Sequence, residues 1–307
     1  MPKRAPTIKT PIMEARLAAF EAEKRLILDG FSERVRPISK VAAPRGKLVD
    51  GCAVYPVGDY HTGQLSWAIE TRGASYDLRV ARKLLVSAMS HLITKLPKCG
   101  TAFIPFMGDF IHFDGFRAET PQHKHLLDAD SRFPKVARTA IQIARAAIDT
   151  ALQHHHEVHV VWELGNHDPT GAIWMMELLA CVYEKNPRVH IDTHPGKFHY
   201  FEFGRNLIQT HHGDMRIKPE KLPLIMALDQ AEAWGRTEHR WTLLGHHHHE
   251  SRVDGGTVIE VVPVLTPNDA YAANSGYRAK RQMQAVLLDP KYGEEERHTF
   301  NATRFVL

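Results

Sequence analysis

The chain has 307 residues, 43% hydrophobic and 24% charged, with a formal net charge of +4. That balance excludes a disordered or collagenous chain, and three scattered cysteines (Cys52, Cys99, Cys181) exclude a disulfide framework or a CxxC zinc site. No run approaches the roughly 18 apolar residues of a membrane span and no apolar stretch follows the basic N-terminus, so a cytoplasmic protein without membrane attachment is expected.

In chain order, residues 1–10 read as a basic, Pro-containing tail. Met13, Leu17, Phe20 and Ile27 recur at helical spacing, so a helix is expected over 12–29, stopped by Gly30. It reads as a packing or homodimer arm. Residues 31–49, with Pro37, Pro44 and Gly46, read as a connector. Residues 1–49 are thus set apart from a domain over 50–307. In that domain, strands are expected at 53–57, 102–107, 158–164, 207–210 and 241–244. Helical patterns lie between them at 77–95, 134–153, 172–185 and 222–235. Three further strands are expected at 256–264, 283–288 and 297–306. Apolar strands alternating with helices predict an α/β fold with a mostly parallel or mixed sheet covered on both faces.

Each of the five principal strands runs into a short polar motif. These are Gly58-Asp59-Tyr60-His61, Gly108-Asp109, Gly165-Asn166-His167-Asp168, His212-Gly213-Asp214 and Gly245-His246-His247-His248. Ligands in open α/β sheets gather at the carboxyl ends of strands, so five loops distant in sequence should meet on one rim.

Asp59 and His61 are two residues apart, as are His246 and His248, and at a strand end such pairs point to the same side. Asp109, alone at its strand end, can bridge two cations. The Asn166 amide oxygen can bind a metal without adding charge. Next to it, His167 can face substrate, while Asp168, counted with it as catalytic, can stay in the outer shell and orient the loop. His211, His247 and His249 compete for the register, and the spacing to Gly213 and Gly245 favours His212, His246 and His248.

One ion would then take Asp59, His61, Asp109 and His248. The other would take Asp109, Asn166, His212 and His246. Mixed imidazole and carboxylate ligation suits Mn²⁺ best, with Fe or Zn²⁺ as alternatives. Each motif has a bland reading as a turn residue or a surface histidine; the ordered set of five is what carries the metal reading.

This set resembles the calcineurin-like metallophosphoesterase superfamily over residues 50–307. The resemblance implies a β-sandwich of mixed sheets flanked by helices. It also implies phosphoester hydrolysis by in-line attack of a hydroxide held between two divalent ions, with His167 as the group beside the substrate. The His211-His212-Gly213-Asp214 and Gly245–His249 blocks resemble those of SbcD-type DNA repair nucleases and of UDP-diacylglucosamine pyrophosphatases. Asp59-Tyr60-His61-Thr62-Gly63, Lys218–Pro223 and Ser275-Gly276-Tyr277-Arg278 resemble exonuclease-like phosphoesterases of phages and prophages.

Two departures matter. An acid lies three residues after the bridging Asp in many members, and here that place is His112, with Asp114 two further on. SbcD-type nucleases also carry a C-terminal capping domain, whereas this chain stops at Leu307, which turns the expectation toward single-stranded or end-frayed DNA.

The polar connection 112–135 follows Asp109 and is expected to help choose the substrate. His112, Asp114, Arg132 and Lys135, together with Lys218 and Arg278, are the expected substrate contacts, and Phe113, Phe116 or Tyr277 could stack on bases. A DNA phosphodiesterase is the leading expectation, with a small-molecule nucleotide phosphatase or pyrophosphatase as the alternative.

Overall fold

A computed structural model describes residues 41–214 and 217–304. The expected helix over 12–29 lies outside the described residues. In chain order the elements are β1 (Val49–Val54), α1 (Ala68–Thr71), α2 (Leu78–Ile93), β2 (Cys99–Phe106), α3 (Phe133–Leu152), β3 (Glu157–Trp162), α4 (Pro169–Tyr183) and β4 (Val189–Ile191). Then follow β5 (His199–Phe203), β6 (Asn206–His211), α5 (Leu222–Asp229), α6 (Ala231–Arg236), β7 (His239–Leu244), β8 (Ser251–Asp254), β9 (Val258–Val261), α7 (Ala270–Asn274), β10 (Gln282–Asp289) and β11 (Gly293–Asn301).

The strands form two mixed sheets, one ordered β11-β10-β1-β2-β3-β4 and the other β5-β6-β7-β9-β8. β1 to β4 run parallel, as do β6, β7 and β9, while β10, β11, β5 and β8 pair antiparallel. Parallel neighbours need crossover connections, and α2, α3 and α4 supply them for the first sheet, as α5 and α6 do between β6 and β7.

The sheets meet through alternate side chains, which a strand points to one face. Cys52 and Val54 of β1, Phe103 of β2, Val286 and Leu288 of β10 pack with Ile208 of β6 and Trp241 and Leu243 of β7 in one buried cluster. Phe103 stacks on Phe201 of β5 across the gap, with ring centroids 4.3 Å apart. Helices cover the outer faces. α2 is capped by Asp77, whose side chain accepts from the Val80 amide at 2.7 Å, and it buries Ala81, Leu84, Leu85, Ala88 and Leu92 at helical spacing. Met226 of α5 and Ala233 of α6 pack on Leu207 of the second sheet. The fold is therefore an α/β sandwich of two mixed sheets flanked by helices, as expected.

Several bounds differ from the sequence expectation. β1 starts at Val49 instead of 53, and Val57 survives only as an isolated bridge to Phe106. The last strand spans Gly293–Asn301 instead of 297–306, and Ala302–Arg304 turn into a 3-10 helix. The single helix expected over 222–235 is two helices, separated at Gln230. Among the described residues, no helix is long and apolar enough to cross a membrane.

Candidate metal centre

All five motifs leave the carboxyl ends of parallel strands. Asp59 follows β1 and Asp109 follows β2. Asn166 follows β3, His212 follows β6 and His246 follows β7. The carboxyl ends of both sheets thus open on the same rim.

There the side chains form two clusters, Asp59 with His61 and His248, and Asp109 with His212 and His246. In the first, His248 Nε2 lies 3.0 Å from Asp59 Oδ2 and 3.2 Å from His61 Nε2. In the second, His212 Nε2 lies 3.4 Å from Asp109 Oδ2 and 3.1 Å from Asn166 Oδ1. Ligands about 2.1 Å from one metal at tetrahedral or octahedral angles stand roughly 3.0–3.4 Å apart, which is the spacing seen here. All seven expected ligands are brought together. His211 accepts from the Gly213 amide and packs on Phe198, while His249 Nδ1 bonds the His247 carbonyl, so these neighbours are turned to other partners.

The electrostatics fit a site built for cations. Burial disfavours the charge of Asp109, yet His212, His167 and His61 together hold its carboxyl well below the usual carboxylate range. Burial likewise disfavours a charged His212, but Asp109 and Asp59 outweigh it and push that imidazole up to about 10. His248 is raised by its hydrogen bond to Asp59 against the same penalty of burial. Two buried carboxylates thus recruit protons onto imidazoles where divalent ions would supply the positive charge. Burial, with His167, His248 and His112, holds His61 well below its ordinary value, and Asp109 opposes that lowering as it favours charge on His248 and His212.

The backbone carries the same signature. Among the described residues, six that are not glycine have positive φ, and four of these are His61, Asp109, His246 and His248. Such conformations cost on the order of 1–3 kcal/mol each and gather where function requires them. The motif glycines make room. A Cβ on Gly165 would stand 2.1 Å from Asp109 Oδ1, and one on Gly108 2.5 Å from His212 Nδ1.

Second contacts orient the ligands. His212 Nδ1 donates to the Met107 carbonyl at 2.7 Å, which turns Nε2 to the centre. His61 Nδ1 lies 3.2 Å from His112 Nδ1. Burial, assisted by His167, pushes His112 down to about 3, so it is neutral and suited to accept that proton. The side chain three places after Asp109 therefore supports His61, and it is the His112 carbonyl that accepts from His167 Nδ1 at 2.8 Å. His167 Nε2 is left available, and Asp109 Oδ1 fixes the His167 amide at 2.7 Å.

The other expected contacts divide. Asp168, fully buried, accepts the Asp109 and Ile111 amides at 3.1 and 2.9 Å and so positions the bridging loop instead of facing substrate. Asp114 accepts the Thr170 and Gly171 amides at 2.6 and 2.9 Å, capping α4 from another loop. His112 is 1% exposed and Phe113 2%, which removes both from the surface that meets substrate. Arg132, Lys135 and Lys218 are exposed; Arg278 is exposed too, but its guanidinium bonds the Ala273 and Tyr277 carbonyls. Phe116 and Tyr277 are exposed, as is Trp174 on α4, a residue the sequence reading did not single out.

No family model matches the sequence, and no curated protein matches it. Solved structures similar at low identity include the following three. A conserved uncharacterised protein from Streptococcus pneumoniae, described as a predicted phosphoesterase, shares 12% identity at a TM-score of 0.38 over 83% of this chain and 92% of its own. A dimetal phosphatase from Danio rerio shares 9% at a TM-score of 0.40 over 81% and 98%. Vps29 from Chaetomium thermophilum shares 11% at a TM-score of 0.36 over 81% and 98%.

Proposed function

We propose that this chain is a dinuclear-metal phosphodiesterase acting on DNA, single-stranded or frayed at its ends, with Mn²⁺ as the working ion. The observation that carries the reading is a pair of metal-type clusters on one rim, Asp59 with His61 and His248 and Asp109 with His212 and His246, beside a histidine whose Nδ1 is held by the His112 carbonyl. Asp59, His61, Asp109 and His248 would hold one ion, and Asp109, Asn166, His212 and His246 the other. Such a pair of ions supplies Lewis acidity toward phosphoryl oxygens and lowers the pKa of water to near neutrality.

The chain's own groups do the rest. His167 donates Nδ1–H to the His112 carbonyl, so Nε2 is the atom that can carry a proton to the leaving oxygen. The Asp109 contact to the His167 amide fixes that ring relative to the centre. Asp168 keeps the Asp109 loop in place, and no side-chain nucleophile is required.

For a DNA substrate, the support is exposed cation and aromatic surface on the connections around the rim. Lys135 and Arg132 close the 112–135 connection, which also carries exposed Phe116; Lys218 follows the His212 motif. Phosphates pair with such cations and bases stack on such rings.

The test is degradation of end-labelled single-stranded, frayed and blunt oligonucleotides with Mn²⁺, beside phosphate release from nucleoside monophosphates. Degradation of the first two substrates is expected, together with hydrolysis of bis-p-nitrophenyl phosphate. Strong phosphate release with intact oligonucleotides would replace the nuclease reading with a small-molecule phosphatase.

A further inference from the structure

Glu157, His159 and His190 form a further cluster, away from the rim. Glu157 and His159 open β3, two residues apart and so on one face of the sheet. His190 is the register partner of His159 on β4. At about 3.3 Å per residue, His159 stands roughly 20 Å from the Asn166 loop at the other end of β3.

Both imidazoles turn Nε2 to the one carboxylate. His159 Nε2 lies 3.2 Å from Glu157 Oε1, and His190 Nε2 lies 3.6 Å from Glu157 Oε2. Their rings stack with centroids 4.5 Å apart and 24° between planes. Thr101 on β2, paired in register with Glu157, donates its hydroxyl to Glu157 Oε1 at 3.2 Å and so fixes the carboxylate. The three ligand atoms all lie within 4.8 Å of one another, close enough to share one ion, and an outer hydrogen bond on a ligating carboxylate is the usual support for such a site.

A pair of Glu–His ion pairs would also bring these groups together. That arrangement would place two imidazolium rings in a stack, where like charges repel.

We propose that Glu157, His159 and His190 form a separate mononuclear site for a borderline divalent cation of the Zn²⁺ class, clipping β4 to β3. One carboxylate and two imidazoles are hard and borderline donors, which favour such an ion over Ca²⁺ or Mg²⁺ and leave a fourth position for water. β4 has only three residues and is the edge of its sheet, so a bond across the β3–β4 pair would hold an element that few ladder hydrogen bonds secure. The role is structural and independent of the chemistry at the rim.

The test uses the full-length, tag-free chain loaded with excess Zn²⁺, desalted and assayed for metal per chain. His190→Ala removes a half-exposed ligand, and Glu157→Gln keeps the shape and the Thr101 contact while removing the charge. Each variant is expected to hold one zinc fewer than the wild type and to keep its activity on bis-p-nitrophenyl phosphate. Zn²⁺ should also raise the wild-type Tm by about 5 °C more than that of either variant. Equal zinc content in the wild type and both variants would overturn the proposal.

Discussion

Glu163 immediately follows β3 and meets Thr210 of β6, three residues before Asn166. The Thr210 hydroxyl bonds one carboxyl oxygen, while Oε2 has no hydrogen-bond partner among the described residues. Burial raises its pKa from an ordinary 4.5 to about 7, against the lowering influence of His199, Thr210 and His212. A raised carboxyl is stabilising in its protonated form. Its contribution is complete below pH 4.5 and is lost as pH rises through about 7. At 1.36 kcal/mol per pH unit, the loss amounts to about 3 kcal/mol by pH 8. Glu163→Gln keeps the shape and the acceptor for Thr210 and never ionises. In urea unfolding of the metal-free chain, the variant should match the wild type near pH 5 and exceed it by about 3 kcal/mol near pH 8. The difference between the two proteins cancels the other titrating groups. An unchanged difference between pH 5 and pH 8 would refute the burial argument.

Three further outcomes follow from the site. His167→Ala should retain both ions and lose turnover by about 10²–10⁴-fold, checked by metal content and steady-state rates. Gly165→Ala forces a methyl group into the Asp109 carboxylate, so metal content should fall together with activity. Asp114→Ala strips the cap from α4 and should cost about 1–2 kcal/mol in urea unfolding with metal content unchanged.

The sequence was most legible where local chemistry is repetitive. Apolar strands ending in Gly-Asp or Gly-Asn-His marked the rim, because strand ends are where such residues can converge. The long helices, α2 and α3, were visible from their apolar spacing to within a residue or two. β1 was placed too late because Asp50-Gly51 resembles a turn, although the strand passes through it. β4, with three residues, and β8, with mostly exposed side chains, lack the periodicity that a strand needs to be seen. β11 begins with Gly293-Glu294-Glu295-Glu296, a polar run held in the sheet by pairing with β10 and by Arg297, which bonds both Glu294 and Glu260. Of those partners only Glu260 is distant in sequence.

At the site, the ligand types and their order were legible and the supporting contacts were not. His112 and Asp114 looked like substrate contacts because they follow Asp109 in a polar loop. Their partners, His61 and the first turn of α4, lie about fifty residues away. The cluster of Glu157, His159 and His190 escaped notice for the same reason, since it depends on the β3–β4 register.

The most direct test of the dinuclear centre is an anomalous difference map from crystals of the chain soaked in Mn²⁺. Two peaks about 3.5–4 Å apart are expected. One should be ligated by Asp59, His61 and His248, the other by Asn166, His212 and His246, with Asp109 reaching both. A map with no peak beside His61 or His212, at Mn²⁺ concentrations that support hydrolysis, would contradict it.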